Sequence, residues 1–225
     1  MPYLCASVAT TAAMGKNMLS RRDLLQYTAA LCWLAACKRH TPQYSRLPHG
    51  STVLALGDSL TMGYGVSKAQ SYPAQLAQIT AWRVINGGVS GDTSAQALAR
   101  LPALMQQSPK LVLVSIGGND FLRRVPENLT RANISQIIET IQAAHVPVVL
   151  VAIPYFTLGA LVGSVSEHQL YDDLAQQYRI PLLKGAWADI LGQEKLRSDQ
   201  IHANAAGYRL FAEKMAAFLQ QQGFY

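Results

Sequence analysis

The sequence predicts a three-layer α/β/α sandwich around a five-stranded parallel sheet, the flavodoxin-like arrangement. Two observations lead there. From residue 51 onward short apolar runs alternate with segments of helical period, the pattern of repeated strand–helix–strand units. The runs are also continuous rather than alternating, as in "VPVVLVAI" at 146–153, so their strands are buried on both faces and need helices above and below. The chain has 225 residues, half apolar and 14% charged, which suits one domain with a sizeable core.

The elements follow in order. "TVLAL" (52–56), "WRVIN" (82–86), "LVLVSIG" (111–117), "VPVVLVAI" (146–153) and "IPLLK" (180–184) read as the five strands. "YPAQLAQIT" (72–80) reads as a helix, with Pro73 tolerated in its first turn. The segment 93–107 is helical, with Thr93 as N-cap and Pro102 as a break or kink. Residues 130–144 and 165–179 form two further helices, and 204–222 the closing one. In this architecture ligands bind beyond the carboxyl ends of the strands, which here means the loops 57–65, 87–92, 117–121 and 153–164.

The front of the chain stands apart from that pattern. Residues 18–37, "MLSRRDLLQYTAALCWLAAC", combine a basic start with an apolar stretch at 24–36. That stretch is too short to span a bilayer and matches a secretory signal. It ends in Leu34-Ala35-Ala36-Cys37, which resembles a bacterial lipobox, so residues 1–37 are expected to be an export signal with Cys37 lipidated. "SRRDLL" also resembles a twin-arginine signal. Residues 38–50, polar and Pro-containing, read as a tether, leaving 51–225 as the domain. Cys5, Cys32 and Cys37 all precede that domain, so it has neither a disulfide nor a thiolate metal site. The net charge is +6, part of it in the leader, and no Lys/Arg stripe follows, which argues against nucleic-acid binding. The expected partners are a small acyl substrate and, through Cys37, a bacterial membrane on its periplasmic side; the chain is expected to be a monomer without cofactor or metal.

Four loops carry the candidate chemistry. In "LGDSL" Ser59 follows strand one at the mouth of a helical turn, where backbone N–H groups meet an incoming oxygen. Alone, Asp58 or Ser59 reads more readily as a helix cap than as a reactive group. "NGGVSGDTS" ends strand two with Gly87, Gly88 and Gly91, and "GGND" brings Asn119 to the end of strand three. "SDQIHANAAG" places Asp199 three residues before His202, close enough for the carboxylate to fix the imidazole's tautomer. Asp58 and Asp120 read as braces for their loops. His145 reads as a helix-end residue, and His168 lies on a helix near the rim.

Together "GDSL", "SGDTS", "GGND" and "DQIH", in that order over most of 52–220, resemble the GDSL, or SGNH, hydrolases. "SGDTSAQALARLPALMQQ" and "LVLVSIGGND" are similar to the bacterial periplasmic thioesterase I, lysophospholipase and arylesterase group. Ala203 stands where members often carry Pro. The resemblance implies Ser59 as nucleophile, His202 as general base and then acid, and Asp199 as its orienting partner. It further implies an oxyanion hole of the Ser59 N–H, the Gly91 N–H and the Asn119 amide. Two features agree independently of the family: a serine hydroxyl needs a base within hydrogen-bond reach, and the "GxSxG" elbow of other serine hydrolases is absent.

The loop "PYFTLGALVGS" at 154–164 is unusually apolar for a connection. Tyr155, Phe156, Leu158 and Leu161 are expected to line an acyl groove, the other reading being that they pack on the helix beneath. The expected activity is hydrolysis of an apolar acyl or aryl ester or thioester. A carbohydrate or peptidoglycan O-acetylesterase is the alternative reading, and a non-catalytic binding lipoprotein the third.

Overall fold

The computed structural model describes residues 44–155 and 167–225. Five parallel strands form one sheet in the order β2-β1-β3-β4-β5. They are β1 (Thr52–Gly57), β2 (Arg83–Gly88), β3 (Leu111–Ser115), β4 (Val148–Val151) and β5 (Leu182–Leu183). β1, β3 and β4 lie inside the sheet and are almost wholly buried, as their unbroken apolar runs require. β2 is an edge strand and half exposed, so its mixed sequence "RVINGG" follows from its place in the order.

The helices are α1 (Ser59–Met62), α2 (Tyr72–Thr80), α3 (Ser94–Met105), α4 (Gly118–Leu122), α5 (Glu127–Ala143), α6 (Leu170–Tyr178), α7 (Ala186–Leu191) and α8 (Ala205–Gln222). α2, α7 and α8 pack together as one layer, and α3, α5 and α6 as the other. Between them lies a core of strand residues and helix stripes such as Ile134, Ile137, Ile138 and Ile141 of α5, spaced at three and four residues on one face. On the opposite side Trp187 stacks on Phe211 with ring centroids 3.7 Å apart.

Three expectations are corrected. Pro102 does not end its helix: α3 runs through it to Met105, because its first turn is fixed by a capping box between Thr93 and Gln96 and Ala97 and Leu101 anchor its buried face. Of the short helices, α1 is read only as the helical turn at Ser59, and α4 and α7 are not read from the sequence; each is under two turns and carries too little periodicity to register. Of the span 38–50 expected as a tether, Tyr44–Gly50 belongs to the domain. Tyr44 stacks on Phe224 at 4.3 Å, and the Leu47 N–H donates to the Phe224 carbonyl at 2.9 Å. Two apolar side chains among polar neighbours therefore make Tyr44–Gly50 part of the domain. Among the described residues no helix is long and apolar enough to cross a membrane.

Candidate active site

β1 ends in a turn that only glycine permits. A Cβ on Gly57 would collide with the Thr61 side chain and the Ser115 carbonyl. The chain then enters α1, whose N-cap is Asp58: its Oδ1 accepts the Leu60 N–H at 3.0 Å. This decides between the two readings of the "DS" pair. Asp58 serves as the cap, and Ser59, in the first helical position, keeps its hydroxyl free to point outward.

That hydroxyl meets a ring from the far end of the chain. The Ser59 Oγ lies 3.0 Å from Nε2 of His202. On the other side of the ring, Nδ1 is 2.8 Å from Asp199 Oδ2. A carboxylate only accepts, so Nδ1 carries the proton and Nε2 is left to accept from Ser59. Asp199 is itself held by the turn it closes, since its Oδ1 accepts the N–H groups of Ile201 at 2.9 Å and His202 at 2.8 Å. Burial pushes the Asp199 carboxyl up, but the bonds from His202 and Ile201 outweigh it and hold it below the ordinary aspartate range. The Tyr64 ring covers the imidazole at 4.4 Å, and its carbonyl accepts the Tyr208 hydroxyl of α8. Ala203, at the position where family members often carry Pro, is fully buried.

The oxyanion candidates converge on the same mouth. Gly91 sits at φ 83°, a conformation that favours glycine, and among the described residues its N–H donates to no other group. Asn119 enters from the first turn of α4. Its amide donates to the Asp92 carbonyl at 3.0 Å and, more weakly, to Asp58 Oδ2 at 3.4 Å. The Gly91 carbonyl accepts from Arg123 at 2.9 Å.

Sequence reasoning missed Arg100. Its Nε donates to Asp92 Oδ2 at 2.6 Å, while its two terminal nitrogens donate to the Gly87 carbonyl at 2.6 Å and the Gly57 carbonyl at 2.8 Å. One guanidinium thus ties the ends of β1 and β2 to the loop that carries Gly91. The pairing of Asp92 with a cation eight residues on, two turns into α3, was the signal available in "GDTSAQALAR".

Asp58 and Asp120 brace the site from below. Asp120, fully buried, accepts from the Ser94 N–H at 2.8 Å, the Ser94 hydroxyl at 2.5 Å and the Thr130 hydroxyl at 3.3 Å. Asp58 is buried to 2% exposure. Loss of solvation pushes its carboxyl up to about 7, against the pull of the Leu60 N–H and its own N–H and with a smaller push from Asp120 and Asp92.

Beside Ser59 a depression is lined by Asp58, Leu60, Gly118, Asn119, Leu122 and Ile201. Its apolar walls, Leu60, Leu122 and Ile201, were also missed, each being masked in the sequence by the motif residue beside it. Of the expected groove residues, Tyr155 is 39% exposed and packs edge-on against Phe121 and His168. Phe156, Leu158 and Leu161 lie outside the described residues, as does Cys37. His168 stacks flat on Phe121, and its Nδ1 accepts the Leu170 N–H, which is a packing role. His145 is exposed just past α5 with φ 56°. Among the described residues no group of His, Cys, Asp and Glu is disposed to hold a metal ion.

The chain is similar to known proteins over most of its length. Residues 55–210 match the model of the GDSL-like Lipase/Acylhydrolase family. The chain is 36% identical over 184 residues to Thioesterase 1/protease 1/lysophospholipase L1 of Escherichia coli, covering 78% of this chain and 86% of that protein. It is 32% identical over 171 residues to an arylesterase of Vibrio mimicus, covering 73% and 86%. Among solved structures, the psychrotrophic esterase EstA from Pseudoalteromonas sp. superposes with a TM-score of 0.66 at 27% identity, covering 76% of this chain and 97% of that one.

Proposed function

The chain belongs to the GDSL-like lipase/acylhydrolase family and is an ester-bond hydrolase, and from that premise we propose that it works through an acyl-enzyme on Ser59. The observation that carries this reading is the continuous relay from Asp199 through His202 to the Ser59 hydroxyl. His202 Nε2 takes the Ser59 proton as Oγ attacks the acyl carbon. Asp199 stabilises the imidazolium so formed and keeps its ring in place. The new oxyanion is received by the Ser59 and Gly91 N–H groups and by the Asn119 amide, which gives up its weak contact with Asp58 to do so. His202 then returns the proton to the departing alkoxide or thiolate. A water, deprotonated in its turn by His202, releases the acid and restores Ser59.

The acyl group is apolar in this proposal. Leu60, Leu122 and Ile201 beside Ser59 support it, as do relatives named as a thioesterase/lysophospholipase and an arylesterase. An O-acetylesterase reading has no support from these relatives. Turnover of p-nitrophenyl esters from acetate to decanoate, with the matching acyl-CoAs, tests the proposal. Rates that rise beyond acetate are expected; activity confined to acetate would overturn the apolar-acyl assignment.

The export signal at 1–37 and a lipid on Cys37 complete the proposal, resting on the lipobox-like Leu34-Ala35-Ala36-Cys37. Cys37→Ala is expected to release the protein from bacterial membranes, and retention there would remove the anchor. A monomer is the proposed state, since every group of the relay and the oxyanion set belongs to one chain.

A further inference from the structure

The two ends of the sheet differ in charge. At the carboxyl ends of the strands, cations and carboxylates mix around Ser59. At the amino ends they do not. Arg83 opens β2, Lys110 immediately precedes β3 and Arg179 follows α6 on the way into β5. Thr52 of β1 sets the level, pairing with Arg83 and accepting the Lys110 N–H through its carbonyl. Arg46 joins them from the segment docked on the C-terminus, its guanidinium 6.0 Å from the ring centre of Tyr225. All four are exposed, and among the described residues none pairs with a carboxylate. His49 and His145 are exposed on the same side.

Acids are scarce there. α2, α3, α5, α6 and α8 end at this pole, and in or just past their last turns the sequence places Gln106, Gln142, Gln176, Gln177, Gln220 and Gln221 rather than Asp or Glu. Glu139 of α5 lies toward this end of its helix, and it already accepts the Tyr178 hydroxyl at 2.6 Å. Neutral amides at helix ends with cations unpaired between them leave this surface with an excess of positive charge.

The chain also enters at this pole. Tyr44 and Leu47 are fastened to Gln222 and Phe224 by backbone bonds, so whatever precedes Tyr44 attaches at the amino ends of the strands. Cys37 is seven positions earlier, a reach of at most roughly 25 Å, and Lys38 and Arg39 lie on that stretch.

We propose that the pole formed by Arg46, Arg83, Lys110 and Arg179 rests on an anionic lipid surface, so that the Ser59 site, at the opposite ends of the strands, faces the water. Cations close to such a surface each strengthen binding roughly fivefold, within a Debye length. The enzyme then takes substrates from the aqueous side rather than from the bilayer that holds it.

The test uses the full chain carrying Cys37→Ala, so that no lipid anchor contributes, and sedimentation with vesicles. One set is phosphatidylcholine alone, the other phosphatidylcholine with phosphatidylglycerol. Tighter binding to the anionic set, lost in high salt, is expected. Arg46→Glu, Arg83→Glu and Lys110→Glu together should reduce that preference at least roughly tenfold, while hydrolysis of a soluble ester stays unchanged. The same charge change made on the other half of the domain, Lys68→Glu, Lys195→Glu and Arg209→Glu, should keep the preference. Equal binding of the parent to both vesicle sets, or an equal loss in both triple variants, would overturn the proposal.

Discussion

The Ser59 Oγ and the His202 Nε2 lie 3.0 Å apart although 143 residues separate them in sequence. β1 delivers the serine, and the turn before α8 delivers the histidine, so the contact exists only in the folded domain. Ser59→Ala is expected to lower kcat by about 10⁶-fold. Because Asp58 and not Ser59 caps α1, the change should leave stability within about 0.5 kcal/mol. Ester turnover followed beside thermal unfolding checks both halves; a folded variant that keeps its rate would remove Ser59 from the reaction.

Asp199 acts on the same ring from outside. It is 46% exposed at its side chain, so solvent weakens its charge effect on the imidazole, and its main contribution is to fix the Nδ1–H tautomer. Asp199→Asn, which can present its amide to Nδ1 and favour the wrong tautomer, should lower kcat by about 10³–10⁴-fold with KM little changed. A loss below tenfold would show that Tyr64 and the turn hold His202 unaided.

Asn119 splits from these two in its kinetic signature. In the proposed reaction its amide serves the oxyanion, which exists only after attack. Asn119→Ala should therefore lower kcat by about 10²–10³-fold while KM stays near its original value. A rise in KM at constant kcat would make Asn119 a substrate-binding group instead.

Much of this was legible before folding, for a physical reason. The buried strands β1, β3 and β4 must be apolar throughout, so their runs announced the parallel sheet and placed the loops at their carboxyl ends. Gly57, Gly91, Asn119 and the Asp199–His202 spacing announced themselves because turns and local hydrogen bonds restrict residue type. What escaped was long-range and non-repeating. Nothing local to Arg100 says that it reaches the carbonyls of Gly57 and Gly87. Nothing local to Tyr44 says that Phe224 awaits it. Leu122 and Ile201 look like ordinary apolar residues until the fold sets them around Ser59.

Asp58 should leave a mark on the pH dependence of stability. Burial pushes its carboxyl up to about 7 in the folded chain, against an ordinary aspartate value of 3.8. Between those values the folded state holds a proton that the unfolded chain has released. Stability from this group is thus highest below about pH 4, falls as pH rises and levels off above about 7. In urea unfolding, the advantage of the parent over Asp58→Asn is expected to shrink by about 2–3 kcal/mol between pH 5 and pH 8. A difference that stays constant across that range would mean that Asp58 is already ionised at pH 5.

Arg100 is a positioning residue, and its removal should be felt both in the fold and at the reaction. Asp92 is 8% exposed at its side chain, so Arg100→Ala strands a buried carboxylate and frees the carbonyls of Gly57 and Gly87. The expected cost is about 2–4 kcal/mol, reduced from a fully buried pair because Arg100 is itself 24% exposed. The Asp92 carbonyl also accepts from Asn119, so loosening that loop displaces two oxyanion donors together. kcat should fall by about tenfold or more while KM changes little. Arg100→Lys keeps the charge but cannot span three acceptors with one planar fork, so it should recover stability more than rate. Equal recovery of both would mean that the charge alone matters, and full activity in a folded Arg100→Ala would detach the clamp from the oxyanion hole.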